Sequence, residues 1–353
     1  MTTIAVAGVE SPVPSPGPPA AAENGSGFWQ RHRLAIYVAK RLAAALGTVL
    51  AATILIYVAL IVLPGDVVTS VLGKSGSPAE VARLRAELGG DQNPALGYLQ
   101  FLGGLLHGDL GVSTVGLVVG QRVSIGGLIA APLAHSLILA GITLVLFLPL
   151  MVALGLTAGL RPGSRLDGFL SAGSLTLGSL PEYFVAAVLI AIFFDKLSWF
   201  PPVSSIGDGE SLFAHPKALV LPIATLLIVS LAFGSRQLRG SVANILDSDY
   251  VTFAQLNGYS RRTIVRKYIL PNAIGPTIQI VAQQLQYLIS GLVIVETVYN
   301  YPGIGNVLMR SLNAQDISET LAIAVILATL AVLVNLLADI LAILVDPVQR
   351  TSL

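Results

Sequence analysis

The sequence predicts an all-α membrane protein with six transmembrane helices, because charged residues are scarce and are absent from long stretches. Only 11% of the 353 residues are charged and 54% are hydrophobic, whereas a soluble globular domain has about 25% charged residues. A helix needs about 20 apolar residues to cross a bilayer. A soluble enzyme is therefore excluded. The predicted spans are residues 42–63, 133–156, 168–194, 218–237, 277–297 and 320–344.

The distribution of Lys and Arg predicts on which side of the membrane the termini lie. Six crossings place both termini on the same side, and positive residues are enriched in cytoplasmic segments. With cytoplasmic termini, 13 of the 20 Lys and Arg residues lie inside, and four of the other seven lie in the loop 64–131. The positive-inside rule is weak in so long a loop. We therefore expect both termini to be cytoplasmic.

The composition also argues against several kinds of binding site. The chain has no cysteine, so it has no disulfide and no thiolate metal site. Its four histidines are scattered, and we expect no metal site and no cofactor in this chain. The formal net charge of +1 gives no electrostatic reason to expect nucleic acid as a partner.

The N-terminal residues are predicted to form a disordered cytoplasmic tail, 1–40. Residues 11–27 contain five prolines among Gly, Ser and Ala, and such a composition cannot bury enough apolar area to fold. No basic region precedes an apolar core there, as a cleavable signal peptide would require.

Two segments between spans are predicted to fold. The outside loop, 64–131, contains a capping box from Ser77 to Glu80 with Pro at the first helical position, and Gly89 follows as a helix stop. We expect short helices lying on the outer membrane face. The second segment is the inside loop, 238–276, and it is the more informative of the two.

In the inside loop the pattern predicts two helices joined at a glycine. Ser248 or Asp249 is expected to cap the first helix, and Gly258 can take the left-handed conformation that ends it. Ser260 is expected to start a second, basic helix that Pro271 stops. We call this segment, residues 248–271, the elbow. A cytoplasmic elbow of this kind suits docking into a groove of a partner protein.

Two of the predicted spans, the third and the last, contain ionisable residues at membrane depth. Glu182 is expected near the centre of its span, where Pro181 kinks the helix. An ionised carboxylate at that depth costs about 2.5 to 3.5 kcal/mol, so it must face a cavity, pair or stay protonated. Glu182 could line a translocation path and meet a cationic group of the substrate, or neighbouring helices could satisfy it. In the last span, Asn335 and Asp339 share one face and are expected to make a helix–helix contact.

The fifth span has a polar face. Its members recur at helical spacing and are Gln279, Gln283, Gln286 and Ser290. Amides do not face lipid without cost, so this face either lines a path or joins helices. We favour the path, because amides can bind a polar solute through both donors and acceptors.

The elbow carries a motif that identifies a family. The cytoplasmic signature of binding-protein-dependent ABC importer permeases is Glu-Ala-Ala, three residues, Gly, nine residues, Ile, one residue and Leu-Pro. The chain matches this pattern at Ala254, Gly258, Leu270 and Pro271. Thr252, Phe253 and Tyr268 depart from it. The chain therefore resembles the permease subunits of these importers in a degenerate form.

Further motifs resemble the dipeptide/oligopeptide/nickel branch of this family, in particular its B-type permease, from about residue 40 to the end. In order they are Arg41-Leu42, Leu63-Pro64-Gly65-Asp66, Tyr98-Leu99, Gly108-Asp109-Leu110-Gly111-Val112-Ser113, Asp249-Tyr250-Val251, Glu296-Thr297-Val298-Tyr299, Tyr301-Pro302-Gly303-Ile304-Gly305 and Asp346-Pro347. The resemblance implies a type I permease fold over 41–353 and a location in the bacterial plasma membrane.

The resemblance also implies partners and a mechanism. The permease would pair with a second, similar permease, with two cytoplasmic ATPase subunits that bind ATP and Mg, and with an external substrate-binding protein. The chain itself would not be catalytic. The residues that would couple it to the ATPases are Asp249, Tyr250, Ala254, Gly258, Leu270, Pro271 and Asn272.

The substrate and the class of transporter have alternatives. Permeases of this branch carry dipeptides and oligopeptides, and look-alikes carry glutathione-like molecules, nickel or other metal chelates. An ion-coupled secondary transporter is the alternative class, although we find no inverted repeat and such a carrier has no need of the elbow. A membrane scaffold without transport would have little reason to keep polar groups at depth.

Overall fold

The computed structural model describes residues 26–62, 77, 79, 81, 93–204, 206–207 and 210–345. Within these ranges the chain is helical, and its only β-type pairing is an isolated bridge between Val112 and Ser124. The predicted all-α class is confirmed. In chain order the helices are α1 (Ser26–Val62), α2 (Pro94–Leu106), α3 (Thr114–Val118), α4 (Ile125–Gly159), α5 (Arg165–Gly178), α6 (Glu182–Ile190), α7 (Pro216–Leu246), α8 (Asp249–Leu256), α9 (Arg261–Ile264), α10 (Leu270–Val298), α11 (Ile304–Asn313) and α12 (Ile317–Val345).

Five helical segments of the described chain are long and apolar enough to cross a membrane, and each overlaps one predicted span. They are Val38–Leu60, Ile125–Gly159, Pro216–Leu246, Arg261–Val298 and Ile317–Ile340. The remaining predicted span, 168–194, is a bent pair made of α5 and α6, whose axes differ by 102°. The pair breaks at Pro181, which precedes α6. The expected kink is thus a complete break between two helices.

Contacts at the two ends of the bent pair show that it connects opposite ends of the bundle. Before α5, the carbonyl of Leu160 accepts a hydrogen bond from the Arg261 guanidinium at 2.9 Å. After α6, the backbone N–H of Ser204 donates to the carbonyl of Tyr299 at 2.7 Å. Arg261 and Tyr299 lie at opposite ends of the α9–α10 span. The pair therefore counts as one crossing, and we call the Arg261 end the elbow end and the Tyr299 end the far end.

One predicted boundary at the N-terminal side differs from the structure. Helix α1 begins at Ser26, so residues 26–40 are helical and are not part of a disordered tail. In the loop 64–131, α2 and α3 are the expected short helices. The N–H of Val81 donates to the Ser77 carbonyl at 3.0 Å, which is a helical turn at the predicted capping box. The rest of that predicted helix, and the motifs at 63–66 and 346–347, lie outside the described residues.

The predicted helix stop at Pro271 is wrong. A π-helical turn, Val265–Ile269, joins α9 to α10, so that one helical segment runs from the elbow through the membrane. Pro271 lies at the start of α10, directly after the π-helical turn, and a local π adjustment of this kind lets a membrane helix continue past a proline. The elbow is therefore continuous with a membrane-spanning helix.

Helices α4 and α7 approach closely through glycines, as is common where membrane helices pack. A Cβ atom at Gly155 would lie 2.8 Å from Leu238, and one at Gly159 would lie 2.7 Å from Val242. Gly234 of α7 lies in the same way against the ring of Phe147. Larger residues at these positions would separate α4 from α7, and these two helices support the elbow.

A buried carboxylate organises the loop before α12 at the far end. Asp316 is fully buried. It accepts hydrogen bonds from the Ser113 hydroxyl at 2.5 Å and from the Val115 N–H at 2.9 Å. One residue thus fixes the Gly108–Ser113 motif and the start of α3 to the start of α12. In the last span, Asp339 pairs with Arg41 at 3.0 Å, so it makes the helix contact that was expected.

A second buried carboxylate fixes the turn between α10 and α11. Glu296 accepts from the Ser136 hydroxyl at 2.5 Å and from the Gly305 N–H at 2.7 Å. Gly303 lies directly against this carboxylate, which leaves no space for a side chain. Tyr301 of the same turn is fully buried and donates to the His135 carbonyl at 2.9 Å. The conspicuous motif at 296–305 is therefore a packed turn.

Candidate functional site

The first helix of the elbow begins as predicted but is not capped by its serine. Ser248 occupies the N-cap position of α8, yet its hydroxyl donates to the Ile245 carbonyl at 2.6 Å. The serine therefore satisfies the end of α7. Asp249 lies in the first turn of α8, where the positive end of the helix dipole favours a carboxylate.

The first helix of the elbow ends at Gly258, as the sequence predicts. Gly258 has φ +77°. Its N–H donates to the Gln255 carbonyl at 3.0 Å, and the Tyr259 N–H donates to the Ala254 carbonyl at 3.2 Å. This pair of bonds is a Schellman motif, in which a left-handed residue reverses the chain. The turn sets the angle between α8 and α9.

One side of α8 packs on the membrane helices. Val251 and Ala254 are buried in a cluster that also contains Leu238 and Val242 of α7 and Ala273 of α10. Buried clusters are close-packed and deform little. Helix α8 is therefore tied to both α7 and α10.

The other side of α8 presents large apolar side chains to solvent. Phe253 is 68% exposed and Leu256 is 82% exposed, with Tyr250 and Tyr259 about half exposed. Tyr250, Phe253 and Leu256 are spaced by three residues and lie on one side of the helix. We call these four residues the elbow surface. Contiguous exposed apolar groups of this kind mark an interaction site.

The remaining predicted coupling residues lie at the start of α10. Leu270, Pro271 and Asn272 are all exposed, and the Asn272 side chain donates to the Tyr268 carbonyl at 2.6 Å. Leu270 also lines an apolar groove of about 520 Å³ formed by α4, α7, α10 and α12. These three residues thus belong to the start of α10 and lie outside the elbow surface.

The polar face of α10 is exposed in the single chain. Gln279, Gln283, Gln286 and Ser290 are all exposed, and none of them makes a side-chain hydrogen bond within the part of the chain that the structure describes. The two members of this face nearest the elbow end, Gln279 and Gln283, also line a groove of about 560 Å³ between α7 and α10. The spacing argument therefore places these side chains correctly on one open face.

Glu182 lies at the start of a helix and not at the centre of a continuous span. It is the first residue of α6, and its side chain is largely buried. Its carboxylate accepts a hydrogen bond from the Tyr287 hydroxyl of α10. The ring of Tyr287 in turn packs against Phe233 of α7, with 5.9 Å between ring centroids. This arrangement is a helix–helix contact, the second of the two interpretations that the sequence left open.

Comparison with known proteins places the chain in a family. The family described as the binding-protein-dependent transport system inner membrane component matches residues 151–351, which include the elbow and the polar face. This match covers more than half of the chain. The chain belongs to this family. The type I ABC importer permease fold that the motifs implied is thereby confirmed, and so is the multi-pass inner membrane location.

Individual permeases are similar over almost the whole chain. The oligopeptide transport system permease protein AppB of Bacillus subtilis (strain 168) is 29% identical over 316 residues, which cover 89% of this chain and 99% of AppB. A probable peptide ABC transporter permease protein, y4tP, of Sinorhizobium fredii (strain NBRC 101917 / NGR234) is 29% identical over 317 residues, 89% of this chain and 99% of that protein. The similarity thus extends beyond the elbow motif to the N-terminal helices.

The sequence did not indicate the roles of three residues of this permease whose contacts or exposure the structure shows. Phe253 was counted as a departure from the family signature, yet it is a main component of the elbow surface. Tyr287, the partner of Glu182, lies on the fifth span one position after Gln286. Arg236 is one of the 13 Lys and Arg residues counted on the inside, and the structure shows that it also lines the groove between α7 and α10. No local pattern indicates the last two roles, because each depends on a neighbouring helix.

Proposed function

We propose that this permease forms half of the translocation path of an ATP-driven importer of dipeptides or oligopeptides. The observation that carries the proposal is the two-sided elbow, which is packed on the membrane helices on one side and open and apolar on the other. The names of the similar proteins, an oligopeptide permease and a peptide ABC permease, support the substrate class.

The elbow would couple the permease to an ATPase. The elbow surface, in which Phe253 and Leu256 are the most exposed residues, suits binding in a groove on a partner protein. Because Val251 and Ala254 pack against α7 and α10, a displacement of α8 would move those helices with it. Closure of the ATPases on ATP would in this way switch the path between inward-facing and outward-facing states.

The partners and the orientation follow from the same assignment. We infer a second, similar permease, two cytoplasmic ATPase subunits that bind ATP and Mg, and an external substrate-binding protein. The elbow end would be cytoplasmic, and so would both termini. The excess of Lys and Arg at the elbow end supports this orientation. Hydrolysis would take place in the partners, and this chain would be non-catalytic.

The polar face of α10 would line the path. Gln279, Gln283, Gln286 and Ser290 are free to contact a passing peptide, whose backbone offers donors and acceptors to an amide. A peptide could contact Glu182 only if the hydrogen bond between Glu182 and Tyr287 opened. The carboxylate would then bind the amino terminus of the peptide. Glu182→Gln tests this role, because the amide can still accept from Tyr287.

Reconstitution tests the function. The permease, its paired permease and its ATPases are placed in proteoliposomes, and the binding protein with radiolabelled tri- and tetrapeptides is added outside. We expect uptake that requires ATP inside and does not change when proton and sodium gradients are abolished. Uptake driven by an ion gradient without ATP would support a secondary transporter and contradict the proposal. Uptake of a nickel chelate or of glutathione, but of no peptide, would contradict the substrate class.

A further inference from the structure

Two arginines on α7 have different environments. The guanidinium of Arg239 makes two hydrogen bonds to the Asp167 carboxylate, at 2.8 and 2.7 Å. Arg236, three residues earlier, is exposed and has no ion pair or hydrogen bond within the described ranges of the chain. Arg239 is thus neutralised by its own chain, whereas Arg236 offers an unpaired cation.

Arg236 lines the groove between α7 and α10. The other polar side chains of this groove are Gln237, Ser241, Asn244, Gln279 and Gln283. None of the described residues that line it is acidic. The groove therefore combines one guanidinium with several amides that can donate and accept hydrogen bonds.

The opposite side of α10 carries an apolar groove, which differs from the groove lined by Arg236. The groove of about 520 Å³ is lined by aliphatic side chains such as Leu148, Val281 and Leu337, and Thr277 is the one polar residue among its described lining. Exposed amides and a guanidinium are costly against acyl chains. The polar groove must therefore face water or another protein.

We propose that the groove between α7 and α10 is a carboxylate-binding subsite of the path, in which Arg236 holds the C-terminal carboxylate of a peptide. A guanidinium binds a carboxylate through two parallel hydrogen bonds. The amides of Gln279 and Gln283 bind the adjacent peptide backbone. The polar face of α10 extends from these two residues towards the far end. The proposal rests on the peptide-import function and names the group by which the permease orients its substrate.

Direct binding tests this subsite without the binding protein, which has its own selectivity. The nucleotide-free complex of permeases and ATPases is placed in nanodiscs. Radiolabelled tetraalanine and its C-terminal amide are then titrated by equilibrium dialysis. Both peptides keep a free amino terminus and differ only in the carboxylate. Ion pairs exposed to solvent contribute up to about 1 kcal/mol, so we expect the acid to bind about fivefold more tightly than the amide.

Three variants assign the discrimination to Arg236. Arg236→Gln should bind the two peptides equally, and Arg236→Lys should keep a preference for the acid because it keeps the charge. Arg165→Gln, which removes another exposed arginine of the elbow end away from the groove, should behave like the wild type.

The outcomes that overturn the subsite are distinct from failure of the import function. Absence of binding, equal affinities in the wild type, or discrimination that survives in Arg236→Gln would each overturn it. Loss of the second permease from the Arg236→Gln complex on size exclusion, with discrimination unchanged, would assign Arg236 to the permease interface. ATP-driven peptide uptake is measured on the same preparation. If uptake is present and discrimination is absent, only the subsite is wrong.

Discussion

The far end and the elbow end of this permease use polar side chains in different ways. At the far end, the carboxylates of Glu296 and Asp316 are completely buried, and each accepts hydrogen bonds from both backbone and hydroxyl donors. At the elbow end, Arg236, Gln279 and Gln283 are exposed and have no partner within the described residues.

This difference separates structural polar groups from groups that are available to a ligand. A buried polar group that loses its partner costs about 1 to 3 kcal/mol, so the far end can hold its carboxylates only in one arrangement. Exposed amides have no such constraint. The far end is therefore a fixed turn, whereas the side chains of Arg236, Gln279 and Gln283 at the elbow end remain available for contacts with other molecules.

Gly303→Ala should have the largest effect on the far end. A Cβ atom at this position would overlap the buried carboxylate of Glu296, which Ser136 and Gly305 hold in place. We expect most of the purified protein to be lost from the folded fraction in fluorescence size-exclusion chromatography. Gly141→Ala is the matched control, since a Cβ atom there meets nothing within 4 Å. Equal yields for the two variants would contradict the packed turn.

Asp316→Ala should have the next largest effect. It removes the acceptor for the Ser113 hydroxyl and for the N–H groups of Thr114 and Val115. We expect a loss of about 3 kcal/mol in the free energy of unfolding, because buried donors are left without a partner. Chemical unfolding in detergent measures it. Asp316→Asn keeps an acceptor oxygen and should lose less; an equal loss in both variants would argue against the hydrogen bonds as the cause.

The double variant Gln279→Ala, Gln283→Ala should have the smallest effect on stability. Both side chains are exposed and have no hydrogen-bond partner among the described residues, so we expect the free energy of unfolding to change by less than about 0.5 kcal/mol in the same assay. ATP-driven uptake of peptide should nevertheless fall. A loss of stability as large as that of Asp316→Ala would show that the polar face joins helices and does not line the path.

The sequence predicted the spans well because a charge at membrane depth is costly, so gaps between charges mark the helices. It also predicted the end of α8, since a glycine at a left-handed position is a local signal. It did not predict the complete break before Glu182 or the helix that continues through Pro271. A proline removes one backbone hydrogen bond in both places, and the surrounding packing decides whether the helix breaks or continues through a π-helical turn. Contacts such as Ser113 with Asp316 join residues 203 apart in sequence and leave no local pattern.

Gly258 gives the most direct test of the central claim, that the elbow couples this permease to ATP hydrolysis. No atom of the described residues lies within 4 Å of a Cβ atom at Gly258, so within this chain a substitution there acts through its φ of +77°. A β-branched residue is strained in this conformation, whereas Asn tolerates it. Gly258→Val should therefore change the angle between α8 and α9, and Gly258→Asn should leave it unchanged.

The measurement is the stimulation of ATP hydrolysis by peptide-loaded binding protein in the reconstituted complex. We predict that Gly258→Val inserts and assembles but loses most of this stimulation, whereas Gly258→Asn keeps the wild-type response. Wild-type stimulation in an assembled Gly258→Val complex would contradict the coupling role of the elbow.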